Sequence, residues 1–129
     1  MTPADDGAAA VEMAIVLPLL LLILFGIIDF GLLLNRQILL TEAAQAGARA
    51  AAFGSADPGS RAAAVLGDQP SSVSVTPCPA NATTADDARV TLTYRYQAKT
   101  PLGSLMLLFG QDAADTFELR STGVMACVG

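Results

Sequence analysis

Two carboxylates bracket the most apolar stretch of this chain. Glu12 stands immediately before Met13–Ile28, a run with no charge and a single proline, Pro18, and Asp29 stands immediately after it. A charge at bilayer depth costs about 2.5–3.5 kcal/mol on insertion scales, so each acid needs an interface or a partner. Few other groups could do chemistry. There are two cysteines, Cys78 and Cys127, two acid pairs, Asp86-Asp87 and Asp112/Asp115, and no histidine. Without histidine most catalytic triads and nearly all zinc sites fall away. The acid pairs lie in turn-like stretches, where carboxylates cap helix ends and stay solvated. Asn81-Ala82-Thr83 matches a glycosylation sequon and reads as a turn. These residues predict no catalytic centre, no metal site and no cofactor: the chain is not expected to be an enzyme.

Cys78 and Cys127 are too far apart for the C-x-x-C spacing of metal or redox sites. An even count in an exported domain favours a disulfide, and a loop of this length would contribute about 4 kcal/mol in the chain-entropy model. Two buried thiols are the alternative. The net charge of −5 and the scatter of the seven basic residues, all downstream of the apolar run, predict no nucleic-acid partner, because no cluster exists to neutralise phosphates. Nothing marks a small-molecule substrate.

The elements that hold these groups begin with a membrane helix. Ala8 to Leu34 is interrupted only by Glu12 and Asp29, and as a helix it would measure roughly 40 Å against a hydrocarbon core of about 30 Å. The charge-free stretch alone spans about 24 Å, which puts the two acids near opposite interfaces. A cleavable secretory signal would have a shorter apolar region, a basic start and a prompt A-x-A-like site. Here Asp5 and Asp6 precede the run, and small residues suited to cleavage come only around Ala46 to Ala52. On orientation two signals conflict. The first basic residue, Arg36, lies after the helix, which would keep that side in the cytoplasm. The cysteines and the polar, turn-rich tail favour the outside, and the charge rule is weak for long tails.

Helical periodicity continues past Leu34, with Asn35, Thr41, Glu42, Gln45 and Arg49 on one side and Leu39, Leu40, Ala43, Ala46, Gly47, Ala50 and Ala51 on the other. One helix is predicted from about Ala10 to Phe53, ended by Gly54. Ala43, Gly47 and Ala51 recur every fourth position and admit a close backbone neighbour. Beyond it, Asp57-Pro58 starts a short helix through Leu66, and Ser72–Thr76 reads as a strand. Arg89–Ala98 is a second strand with Val90, Leu92, Tyr94 and Tyr96 on one face. Pro101–Gly110 is an apolar connection and Thr116–Val128 the last strand. The predicted class is α+β: one long N-terminal helix, membrane-spanning in its first half and amphipathic in its second, packed on a small antiparallel sheet domain. The expected organisation is 1–7 leader, 8–34 transmembrane helix, 35–53 helical extension and 54–129 exported domain.

Gly7-Ala8-Ala9-Ala10-Val11-Glu12-Met13-Ala14-Ile15-Val16-Leu17-Pro18, then Gly26-Ile27-Ile28-Asp29-Phe30-Gly31, then Thr41-Glu42-Ala43-Ala44-Gln45-Ala46-Gly47-Ala48-Arg49-Ala50-Ala51-Ala52 resembles the TadE-like family, minor pilins or pseudopilins of the tight-adherence pilus machinery. The resemblance covers about residues 7–53. It departs from the family in its acidic leader and in Met13, where an aromatic often stands. It implies a pilin-like fold and a processing site of Gly7, Ala8 and Glu12, cut by a prepilin peptidase between Gly7 and Ala8. It also implies that Glu12, Pro18 and Asp29 serve assembly or the membrane interface. Glu12 would help processing or meet the N-terminal ammonium of a neighbouring subunit. The implied partners are the membrane, the peptidase, other pilin-like subunits and the assembly machinery. The implied location is the plasma (inner) membrane, single-pass, with the C-terminal domain extracytoplasmic and pilus-associated. A signal-anchored cell-surface binding protein outside any filament is the alternative function.

Overall fold

A computed structural model of the chain describes residues 3–111 and 116–128. The elements run α1 (Pro3–Ala52), α2 (Pro58–Leu66), β1 (Ser72–Thr76), β2 (Asp87–Gln97), α3 (Leu102–Leu107) and β3 (Thr116–Ala126). The architecture is α+β, with a three-stranded antiparallel sheet and a long N-terminal helix. The chain divides into two compact units, Met1–Leu32 with Gln97–Asp115, and Leu33–Tyr96 with Thr116–Gly129. Helix α1 contributes to both.

In the first unit, α1 is apolar on every side. It begins earlier than the periodicity predicts, so that the Gly7–Ala8 bond lies within the helix. Pro18 sits inside without ending it, although a proline removes one i→i−4 bond. Val11, Ile15, Val16, Leu20, Ile27 and Phe30 are all exposed. None of the most apolar 18-residue window is buried within the protein, and the helix is long and apolar enough to cross a membrane.

The second unit is a helix-on-sheet layer. Strand order is β1-β2-β3. β1 and β2 are antiparallel, with Ser72 opposite Thr93 and Thr76 opposite Arg89. The Thr91 and Thr122 hydroxyls meet at 3.0 Å, and the Cys127 N–H donates to the Asp86 carbonyl at 2.8 Å. That progression is the one an antiparallel β2–β3 pair gives. Alternation puts Ala88, Val90, Leu92 and Tyr96 of β2 and Leu119 and Gly123 of β3 on the buried face.

Against this face lies the second half of α1. Leu40, Ala43, Ala44, Gly47, Ala48, Ala51 and Ala52 are buried, whereas Thr41, Glu42, Gln45 and Arg49 face out as predicted. The buried stripe is rotated from the predicted one: Ala44, Ala48 and Ala52 enter it and Ala46 and Ala50 move to its flank. In an alanine-rich helix the sheet's position, not hydrophobic contrast, chooses the stripe.

Small residues let the layers approach closely. A Cβ on Gly47 would stand 3.1 Å from both Ala62 Cβ and Val90 Cγ1, and one on Gly123 would fall onto the Ala44 carbonyl of α1. There β3 touches the helix backbone itself.

Ends are closed by local chemistry. After Ala52, Gly54 turns left-handed at φ 70° and Ser55 N–H reaches the Ala50 carbonyl at 2.9 Å, a Schellman closure. The Asp57 carboxylate accepts from Ser60 N–H, Pro58 occupies the first turn, and Gly67 at φ 69° ends α2. Cys78, just past β1, and Cys127, just past β3, form a disulfide with Cα atoms 5.9 Å apart. Both outer strands run opposite to β2, so the bond joins the two sheet edges across the start of β2. For a sequence separation of 49 the chain-entropy model gives about 4 kcal/mol, which matters where alanines dominate the core and each buries little area.

Replacing Gly123 by alanine forces β3 away from Ala44. It is expected to destabilise the second unit by about 1–3 kcal/mol, seen as a lower Tm in detergent-solubilised chain, whereas alanine at the exposed neighbour Val124 leaves Tm nearly unchanged.

Candidate functional site

The residues singled out for function are carried by α1, and the structure treats the two acids differently. Gly7, Ala8 and Glu12 are exposed, and nothing lies within 4 Å of where a Cβ on Gly7 would be. Among the described residues none donates a hydrogen bond to Glu12. Residues 1–2 of the predicted leader lie outside the described residues.

Asp29 is only 7 % exposed, although it follows directly on the charge-free run. Its carboxylate accepts from the backbone N–H of Lys99 at 3.1 Å and of Thr100 at 3.2 Å, and from the Thr100 hydroxyl. Three donors aimed at one carboxylate satisfy a charge that the apolar surroundings would otherwise penalise. Asp29 is therefore a staple within the first unit, tying the chain after β2 onto α1. Sequence reasoning missed its partners, which are 70 and 71 residues away. It also passed over the consequence. The stretch Pro101–Gly110, predicted as a plain connection, contains the helix α3, whose start follows directly on the pinned residues.

The second unit has a polar cluster that no local motif announced. Arg36 of α1 lies over the Tyr94 ring of β2, 5.6 Å from its centre, and the Tyr94 hydroxyl donates to Asp68, just after α2, at 2.9 Å. Burial, then the bond to Asp68, raises the Tyr94 pKa above its ordinary 10.0. The cluster joins three elements, and its Asp68 also lines a shallow surface pocket with Asp57, Ser60 and Val73. Gln37 Nε2 donates to the Arg120 carbonyl at 3.2 Å and Ser121 Oγ lies 3.2 Å from Thr41 Oγ1, so β3 is held to α1 by polar contacts as well.

The acid pair Asp86-Asp87 sits where a turn enters β2. Asp86 accepts from Thr83 N–H at 2.8 Å and Thr83 Oγ1 at 3.0 Å, and those bonds, the backbone one foremost, hold its carboxyl below the ordinary 3.8. This is turn-closing geometry. Asn81-Ala82-Thr83 belongs to the same turn, with Ala82 N–H on the Pro79 carbonyl at 3.0 Å. The pair Asp112/Asp115 lies outside the described residues.

Residues 7–49 match the family model described as TadE-like protein. The match covers Gly7, Ala8, Glu12, Pro18 and Asp29 and ends inside α1, so it reaches none of the sheet. The matched residues lie wholly within α1, whose apolar stretch is long enough to cross a membrane. No curated protein and no solved structure matches the chain.

Hydrogen bonds to a charged group contribute about 1.5–3 kcal/mol each, so Asp29→Ala should speed amide exchange at Lys99 and Thr100 roughly tenfold or more. Exchange at Leu92, in the sheet, should stay as it is. The Asp86 carboxyl, with its folded pKa below the unfolded one, stabilises its turn above about pH 4 and loses that effect as pH falls through the depressed value. Carboxyl NMR should therefore show Asp86 titrating below 3.8, and Thr83→Ala should move the midpoint up.

Proposed function

We propose that this chain, TadE-like over residues 7–49, is a non-enzymatic, membrane-anchored minor pilin-like subunit that takes part in assembling a tight-adherence type pilus or a related secretion apparatus. The observation that carries this reading is the pairing of that match with the geometry of α1. Gly7, Ala8 and Glu12 stand exposed on an apolar helix able to cross a bilayer. A prepilin peptidase would cut the Gly7–Ala8 bond, leaving Ala8 as the new N-terminus and Glu12 as fifth residue of the mature chain.

The contrast between the two acids supports a role for Glu12 between molecules. Asp29 has its donors in its own chain, whereas no described residue supplies one to Glu12. A carboxylate at that depth gains most from a cation brought by a neighbour, and the ammonium of a processed Ala8 is such a cation. Two charges each costly in lipid become tolerable as a pair. The disulfide Cys78–Cys127 supports a single-pass topology with the sheet domain outside the cytoplasm, where thiols are oxidised. That outweighs the charge rule at Arg36.

Intact mass of the chain extracted from membranes tests the reading. In cells expressing the peptidase the mass should correspond to a chain starting at Ala8, and Gly7→Val should keep the full length. Glu12→Ala should abolish co-purification of the mature chain with other pilin-like subunits while the sheet domain stays folded. A chain that keeps Met1 in the presence of the peptidase overturns the proposal and favours a signal-anchored surface protein outside any filament.

A further inference from the structure

The connection from β2 to β3 is the most apolar exposed feature apart from α1. No charge occurs from Thr100 to Gln111. Helix α3 and the residues after it expose Leu107 by 59 %, Leu108 by 77 % and Phe109 by 49 %. Contacts group this connection with Met1–Leu32, not with the sheet. Its entry is pinned to Asp29 through Lys99 and Thr100, one position past the charge-free run. Within this same unit α1 exposes Ile27 and Phe30.

We propose that residues 101–110 form a second membrane attachment, a hook that enters the interfacial layer of the bilayer beside α1. The occupant of its apolar surface is lipid. Two independent observations support this. First, the hook shares one compact unit with the span and is fastened where the span ends, so the medium that covers Ile27 and Phe30 also meets Leu107, Leu108 and Phe109.

Second, from Leu105 onward the hook closes its own backbone bonds, as a segment leaving water must. Leu105 N–H reaches the Pro101 carbonyl, Leu108 the Leu105 carbonyl, Phe109 the Met106 carbonyl and Gly110 the Leu107 carbonyl, at 3.0–3.2 Å. The N–H groups of Lys99 and Thr100 are taken by Asp29. Lys99 is exposed at the entry, where a long basic side chain reaches headgroups. Asp29 then has a purpose beyond tolerating its own charge: it sets the depth of the hook. Insertion would be shallow, about 5–10 Å, as for other interfacial segments.

This inference rests on α1 being a membrane anchor, and one experiment separates the two. The chain has no tryptophan, so single indoles can be placed by Leu108→Trp in the hook, Leu20→Trp in the span and Phe53→Trp in the second unit. Each full-length variant is reconstituted in phosphatidylcholine–phosphatidylglycerol vesicles with and without lipids brominated either near the carbonyl end of the acyl chain, for the hook, or near its middle and end, for the span. Leu108→Trp should emit to the blue of Phe53→Trp and be quenched by the first lipid to within about twofold of the quenching of Leu20→Trp by the second. Phe53→Trp should respond to aqueous iodide instead. Quenching of Leu20→Trp without quenching of Leu108→Trp overturns the hook alone, and a blue shift without lipid quenching, meaning a protein cover, does the same. An unquenched Leu20→Trp overturns anchor and hook together. Phe109→Trp, a conservative change in the same hook, provides the same readings should Leu108→Trp fail to fold.

Discussion

A helix that exposes valine, isoleucine, leucine and phenylalanine on all sides from Val11 to Phe30 cannot end its existence in water, and most of the structure follows from what replaces the water. In the first unit the protein itself buries none of the helix's most apolar window, and lipid is the cover proposed for it. On that proposal Glu12 and Asp29 mark the two limits of the hydrocarbon core, and each acid meets that constraint differently. Asp29 is satisfied inside the chain by three donors, at the cost of fixing the entry to α3. Glu12 has its carboxylate exposed, and the proposed function brings its counter-charge from another molecule.

Past Leu32 the same helix faces a different problem. Its covering is the sheet, and the contact is made by alanine and glycine. Little apolar area is buried per residue, so the layers gain stability by closeness and by covalent and polar ties. Gly123 lets β3 touch the Ala44 carbonyl. Arg36, Tyr94 and Asp68 join helix, sheet and the end of α2. The disulfide clamps both sheet edges across the start of β2. A small core with such ties suits the exported, anchored domain proposed above.

Much of this was legible locally. Asp57-Pro58 set the start of α2, Gly54 ended α1, and alternation in Val90, Leu92, Tyr94 and Tyr96 placed β2 and its buried face. The strand limits of β1 came out as read, because Pro70 and Pro77 flank it. What escaped depends on distant partners. α3 has only six residues and no periodicity to announce it, and it stands where Asp29 pins the preceding residues from across the chain. The rotation of the buried stripe toward Ala44 and Ala48 was hidden because neighbouring alanines look alike. Gly123 did carry a signal, since an isolated glycine in a strand often marks a close backbone approach, but only the helix showed what approached.

The central claim is that α1 changes medium along its length, from lipid to a domain outside the cell membrane. Single cysteines at Ile23 and at Gln45, tested in intact cells with a membrane-impermeant maleimide, address it directly, since the native cysteines are paired in a disulfide. The account predicts that Gln45→Cys is labelled from outside and Ile23→Cys is not, even after lysis without detergent. Equal labelling of both positions, or labelling of Gln45→Cys only after lysis, would contradict it.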